Sequence, residues 1–204
     1  TSTTTIMAIR KIQRSKLKIR ITLEGLPGTG KSFGALRLAK GLCQDESKIC
    51  IIDSENRIDL YGHMGNFMVN DFDIPENASD NHFCPDRFTQ KIHECCRAGA
   101  QVIIIDSLSF AWEGLGSALH QVSALTTNST AKNATELAWQ KVTPKWNRLL
   151  HAIDSCPAHT ICILRVKDIV ETVNGKRTKT GLAPVIRSGF EYTQMVYAYV
   201  NSDH

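Results

Sequence analysis

Residues 25–32 read "GLPGTGKS", and each residue type there suits the capture of a phosphate chain. The pattern matches G-x-x-x-x-G-K-[ST] in full. Glycines let a backbone curl until several N–H groups face one anion. A helix that begins directly afterwards adds the positive end of its dipole. In such a loop Gly25, Pro27, Gly28, Thr29, Gly30, Lys31, Ser32 and Phe33 form the nucleotide-binding set, with ATP as the expected ligand. Lys31 reaches the β- and γ-phosphates as a point charge, and Ser32 offers its hydroxyl to Mg²⁺. The plain alternative is a glycine-rich turn that binds nothing. A strand pattern before it and a helical stripe after it argue against that.

A phosphate loop alone does not name a reaction. Two other stretches place carboxylates at the mouths of apolar runs. Residues 102–107, "VIIIDS", end in Asp106 and Ser107, where a parallel strand would open onto a ligand crevice. Asp106 is the expected partner of Ser32 in holding Mg²⁺, directly or through water, with Ser107 in support. The competing reading is a strand-end aspartate that caps a helix. Residues 48–56, "KICIIDSEN", end a second run in Asp53 and Glu55, two positions apart and so on one side of an extended segment. Either they sit solvated at a sheet rim, or they face something that needs negative charge.

The elements around these residues follow from periodicity. Residues 17–25 alternate apolar and polar, as a strand does before a tight loop. Phe33, Leu36, Leu38, Ala39 and Leu42 then form a helical stripe. Residues 48–53, "KICIID", are a second strand, and 56–84 read as loop, with Gly, Asn, Asp and Pro scattered through them. Pro85 opens a helix that carries Phe88, Ile92 and Cys95/Cys96 on one face and stops before Gly99. The unbroken run before Asp106 is typical of a buried parallel strand. Residues 135–156 carry Leu137, Trp139, Trp146, Leu149, Leu150 and Ile153, with Pro144 starting or kinking the second part of that helix. Trp112, Trp139 and Trp146 offer base-stacking surfaces, but the helical spacing of Trp139 and Trp146 makes them core. Residues 159–166 are a fourth strand, 168–186 a hairpin turning at Asn174 and Gly175, and 193–201 a last strand. Residues 126–136, "TTNSTAKNATE", are of low complexity and expected to be mobile. Strands alternating with helices predict an α/β fold: a mostly parallel central sheet with helices on both faces and a C-terminal β-hairpin.

The 204 residues, 42% hydrophobic and 22% charged, suffice for one domain with a real core. No linker divides them, so 1–204 read as a single domain with a basic N-terminal arm at 1–16. Met7 reads as the natural start and residues 1–6 as an added leader. A net charge of +4 permits an anionic partner without demanding one. No apolar run approaches a membrane span, and the N-terminus has no signal-peptide core. Seven cysteines, an odd number with no Cys-x-x-Cys pair, suit a reducing, cytoplasmic compartment, where the sequons at Asn128 and Asn133 carry no meaning. His82, Cys84, His93, Cys95 and Cys96 have the residue types for zinc, but their spacing fits no standard finger.

Taken in order, "GLPGTGKS", "IIDSE" and "VIIIDS" resemble the RecA-like core of P-loop NTPases rather than nucleotide kinases or small GTPases. In RecA-like ATPases the catalytic glutamate ends the strand that follows the P-loop helix, and the metal-binding strand ends in Asp-Ser. The resemblance makes Lys31 and Glu55 the catalytic pair, with Glu55 as general base for water. Asp53 either orients Glu55 or touches metal-bound water. Four segments narrow the match: "MAIRKIQRSKLKIRITLEGLPGTGKSFGALRLAKGL", "IIDSLSFAWEG", "AWQKVTPKWNRLL" and "TGLAPVIRSGFEYTQMV". Together they are similar to phage-encoded AAA-family ATPases, short RecA-like proteins found in recombination modules beside single-strand annealing and single-strand binding proteins. The group usually has His after "DSLS", where this chain has Phe110, so a polar role there is lost. The group also continues past "NSDH" into a segment rich in Lys and Arg, and its hairpin differs in detail.

The remaining cations have two readings each. Arg165 and Lys167, alternating at a strand end, either sense the γ-phosphate or are solvated. Lys176, Arg177 and Lys179 on the hairpin, and Arg187, either touch a DNA backbone or a neighbour's nucleotide, or face water. Arg10, Lys11, Arg14, Lys16, Lys18 and Arg20 make an arm that packs on a neighbouring subunit, meets DNA or is solvated. The resemblance implies a Mg²⁺-dependent ATPase that works on single-stranded DNA or with a single-strand binding or annealing protein. It further implies a homo-oligomeric ring or filament in the host cytoplasm, with no membrane role. A nucleotide or small-molecule kinase, and a non-hydrolysing ATP-dependent DNA-binding module, are the alternatives.

Overall fold

The computed structural model describes residues 13–72, 82–127, 129–173 and 176–201. In chain order the elements are β1 (Arg20–Gly25), α1 (Lys31–Leu42), β2 (Ile49–Asp53), β3 (Met68–Val69), α2 (Pro85–Arg97), β4 (Val102–Asp106), α3 (Ser109–Trp112), α4 (Ala118–Thr127), α5 (Ala134–Ser155), β5 (His159–Val173), β6 (Lys176–Pro184) and β7 (Val196–Tyr199).

β2 and β4 dictate the layers. Both are buried along their whole length, and alternate side chains leave on opposite faces. Cys50, Ile52, Ile103 and Ile105 pack with Phe88, Ile92, Trp146 and Leu149, from α2 and α5. Ile49, Ile51, Val102 and Ile104 pack with Leu36 and Ala39 from α1. Strands that are apolar on both faces need cover on both, and the helices supply it.

The sheet runs β3-β2-β4-β5-β1-β7, every neighbouring pair parallel. β5 stands between the phosphate-loop strand β1 and the Asp106 strand β4. This is the mostly parallel α/β sheet that the alternation of strands and helices predicts. β5 then continues past the parallel sheet. Its residues 166–173 pair antiparallel with β6 to form the expected hairpin. The turn residues Asn174 and Gly175 lie outside the described residues.

One expectation is corrected and one narrowed. Residues 56–84 are not simply loop: a 3-10 turn, Ile58–Met64, precedes β3, a two-residue edge strand in register with Cys50 and Ile51. Pro144 does not start a second helix, because α5 is one helix across it. Buried residues on both sides, Ala138 and Val142 before and Trp146 and Leu149 after, hold one continuous apolar stripe. The low-complexity stretch contributes the end of α4 and the start of α5, and Asn128 lies outside the described residues. Trp146 is core, as its spacing predicts, and Trp139 is half-buried and stacked on Trp112 at 5.8 Å. Cys95 and Cys96 face separate partners, Cys50 at 2.8 Å and Cys156 at 3.4 Å between sulfurs. Among the described residues no three metal-ligating side chains converge, and no helix is long and apolar enough to cross a membrane.

The basic arm is not uniform. Met7, Arg10 and Lys11 lie outside the described residues. Arg14 and Lys16 are exposed. Arg20, by contrast, is buried as the first residue of β1. Its guanidinium donates to the carbonyls of Asp154, Cys156 and Ala158 at 2.7–2.8 Å. It thereby satisfies acceptors at and beyond the C-terminal end of α5, where a cation also suits the helix dipole. Arg20→Met should therefore cost about 2–4 kcal/mol in denaturant unfolding, whereas Arg14→Met should stay within about 0.5 kcal/mol. Equal effects would show that the Arg20 network adds nothing.

Candidate nucleotide site

The site forms where β1, β2, β4 and β5 end. Gly30 is the N-cap of α1, with φ 83°, a left-handed conformation that glycine adopts freely. Gly25 has another constraint: a Cβ there would lie 2.4 Å from the Val200 carbonyl oxygen. Lys31 and Ser32 open α1. Lys31 Nζ donates to the Gly25 and Leu26 carbonyls at 2.9 and 2.7 Å. Burial holds its amine below the ordinary value, with Arg165 pushing the same way and Asp106 and Glu55 opposing.

Asp53 and Asp106 are direct register partners. Parity along each strand sends both toward the face that α1 covers. Ser32 Oγ donates to Asp106 Oδ2 at 2.5 Å. Burial pushes the Asp106 carboxyl up to about 6; Glu55 and Asp53 add to the rise, while the Ser32 hydrogen bond and Lys31 oppose it. A buried carboxylate and a hydroxyl side by side are hard oxygen donors, and Mg²⁺ takes one or two protein oxygens beside those of the phosphates. The pair fits that ion. The Asp106–Ser107 peptide bond is cis.

Asp53 and Glu55 both line one cleft, but not as alternate residues of one extended segment. The extended backbone stops at Asp53, and Asn56 turns with φ 52°. Asp53 is buried and bends back: Oδ1 accepts the Glu55 amide at 2.9 Å, and Oδ2 accepts those of Arg57 and Ile58 at 2.8 and 2.9 Å. Asp53 is therefore the residue that shapes the turn presenting Glu55. Ser54 secures the other side. Its hydroxyl accepts the Ser107 amide at 2.8 Å and lies 3.1 Å from the Asp106 and Ser107 carbonyls. Glu55 Oε1 accepts from Nε of Arg165 at 2.9 Å and forms an ion pair with Nη2 at 2.9 Å.

A cleft of about 520 Å³ joins Gly25, Pro27, Gly28, Gly30, Lys31, Ser32, Asp53, Glu55, Asp106 and Arg165. Thr29 and Phe33 do not line it. Thr29 Oγ1 donates to the Leu26 carbonyl, and exposed Phe33 lies under the Arg37 guanidinium. Arg57, Leu60 and Tyr61 do line the cleft. They come from the turn read as loop, and no periodicity in that stretch pointed to them. The other cations stand apart. Lys167 pairs with Glu113 at 3.3 Å and Lys179 with Asp168 at 2.6 Å. Lys176 and Arg177 are exposed on β6, and Arg187 lies over the Trp139 ring.

Fold and cleft together define a P-loop NTPase, a class whose members bind nucleotides. A family model described as an AAA domain matches residues 17–199, and the chain belongs to that family. No curated protein matches. A solved structure that is similar is a KaiC-like protein from the hyperthermophilic archaeon Pyrococcus horikoshii OT3, at 12% identity. It covers 80% of this chain and 76% of its own, with a TM-score of 0.32.

Asp106 gives a stability test. A carboxyl held at about 6 against an ordinary 3.8 favours folding when protonated. Its contribution is complete below the lower value and lost as pH rises through the upper one. Asp106→Asn should thus raise the melting temperature in metal-free buffer at about pH 7.5, by the equivalent of about 2–3 kcal/mol. At about pH 5 the gain should be smaller. A variant that melts below wild type at the higher pH would show that the ionised carboxylate, bonded to Ser32, is stabilising.

Proposed function

We propose that this chain is a Mg²⁺-dependent ATPase that hydrolyses ATP while acting in phage DNA recombination or replication. It works on single-stranded DNA or beside a single-strand binding or annealing protein, as a homo-oligomer. The observation that carries the hydrolytic reading is the convergence of Lys31, Ser32, Asp106 and Glu55 on one cleft. Lys31 and the first amides of α1 hold the phosphates. Ser32 and Asp106 would hold Mg²⁺, which when bound neutralises charge between the β- and γ-phosphates. Glu55, on a turn fixed by Asp53, takes the proton of the attacking water. The DNA reading is supported by the sequence resemblance and by Lys176 and Arg177, exposed on a ribbon that extends beyond the parallel sheet.

Phosphate release from ATP in water alone tests hydrolysis. Glu55→Gln should lower kcat by about 10²–10⁴-fold while ATP still binds, and Lys31→Ala should lose ATP binding. Release that requires an added nucleoside monophosphate would establish the kinase alternative. Equal turnover by wild type and Glu55→Gln would remove Glu55 from the chemistry.

Single-stranded DNA should stimulate turnover, and the stimulation should fade as salt rises from about 50 to 300 mM, because backbone contacts release counterions. Lys176→Glu with Arg177→Glu should weaken stimulation while leaving the rate without DNA intact. Absence of stimulation at low salt would move the interaction to a protein partner.

A further inference from the structure

We propose that Arg165 is the positioning residue for Glu55, and that Phe110 is the shelf that orients Arg165. The inference rests on the reading of Glu55 as the base and goes beyond it, by naming what aims that base.

A glutamate on a turn has three side-chain torsions to settle. The Asp53 carboxylate fixes the Glu55 backbone through its amide but leaves those torsions open. Arg165 closes them. Nε donates to Oε1 at 2.9 Å and Nη2 stands 2.9 Å from the same oxygen as an ion pair, so one edge of a planar, always-charged fork faces a single oxygen. Among the described residues no donor reaches Oε2, which remains on the cleft for a water molecule.

The guanidinium is itself held. Its carbon lies 4.1 Å from the centroid of the Phe110 ring, a close cation–π contact. Phe110 stacks on Phe83 at 4.7 Å, Phe83 tilts against Phe72 at 5.4 Å, and Phe72 packs on Phe88 at 4.5 Å. Phe72 and Phe88 are fully buried, so the column is rooted in the core. The backbone is tied as well: the Arg165 amide donates to Ser109 Oγ at 2.9 Å, one residue before Phe110. A phenylalanine thus does at position 110 what a polar residue there would not, offering a flat face to a flat cation.

Topology shows why such a brace is needed. Arg165 is on β5 and Glu55 follows β2, with β4 between them. The pair spans the end of β4, where Asp106 sits, and gives the Glu55 charge a cation beside a second carboxylate. Stability does not account for it. Arg165 is 49% exposed and Glu55 22%, and exposed pairs contribute little. Lys167–Glu113 is such a pair, a single contact at 3.3 Å with no ring beneath it.

The test measures phosphate release across ATP concentrations for the full chain, with analogue binding and melting temperature alongside. Arg165→Ala should lower kcat about 10- to 100-fold, as a displaced base does, with KM, analogue affinity and melting temperature close to wild type. Arg165→Lys should recover only part of the loss, because it keeps the charge and lacks the fork. Phe110→Leu should lose rate in the same direction, and the Phe110→Leu/Arg165→Ala double variant should be no slower than Arg165→Ala. Wild-type kcat in Arg165→Ala, with Glu55→Gln inactive, overturns the positioning role and leaves Glu55 as base. Weakened analogue binding with kcat preserved overturns it too, making Arg165 a phosphate contact. Additive losses in the double variant overturn the shelf. Full turnover by Glu55→Gln overturns the underlying reading instead.

Discussion

Asp53 and Asp106 stand opposite one another at the ends of two adjacent parallel strands that are buried on both faces. That register governs the rest of the cleft. Inside the sheet neither strand has room for a charge, since each side chain meets the α1 layer or the layer of α2 and α5. Charge is admissible only where the strands run out. There the alternation of faces aims both aspartates toward α1, whose first turn brings Lys31 and Ser32. Chemistry gathers at this edge because the apolar packing excludes it from the rest of the sheet.

Three carboxylates in one cleft repel one another, and each is satisfied by a different partner. Asp53 accepts three backbone amides, so its charge goes into shaping a turn. Glu55 takes a guanidinium. Asp106 has a hydroxyl and a more distant lysine, and burial pushes its carboxyl up. A charge-assisted hydrogen bond contributes about 1.5–3 kcal/mol, and a single hydroxyl leaves most of a buried charge uncompensated. Asp106 is therefore the group that gains most from a divalent cation, and Asp53 the one that gains least. The ranking follows from the partners alone, and on the proposed reading it gives Asp106 the metal and Asp53 the turn.

How far the sequence carried the fold and site depended on the range of the interactions. The phosphate loop is eight consecutive residues with helical periodicity behind it, and "VIIIDS" is a continuous apolar run that ends in its functional residue. Both are local and legible. The Glu55–Arg165 pair spans 110 positions, and nothing near either residue announces the other. Arg20 stood in a row of basic residues; only the fold shows that it faces the end of α5, while the described Arg14 and Lys16 are exposed. The two-residue strand β3 is shorter than any periodicity can register. At Asp53 and Glu55 both residues reach one cleft, but the extended geometry that alternation assumes ends at Asp53.

β5 brings the cleft and the hairpin into one element. Its first half lies between β1 and β4, its residue 165 faces Glu55, and residues 166–173 form half of the ribbon. The Arg165 carbonyl accepts the amide of Val185, just past the end of β6, so the base of the ribbon is fastened at the cleft edge. A register shift between Ile169 and Val170 interrupts the ladder farther out. Bulges loosen pairing and add twist at such points. The inner ribbon is thus tied to the packed sheet and the outer ribbon is freer to adjust. On the proposed reading this division suits a protein that must hold a base within tenths of an ångström at one end of a strand and meet an irregular nucleic-acid backbone near the other.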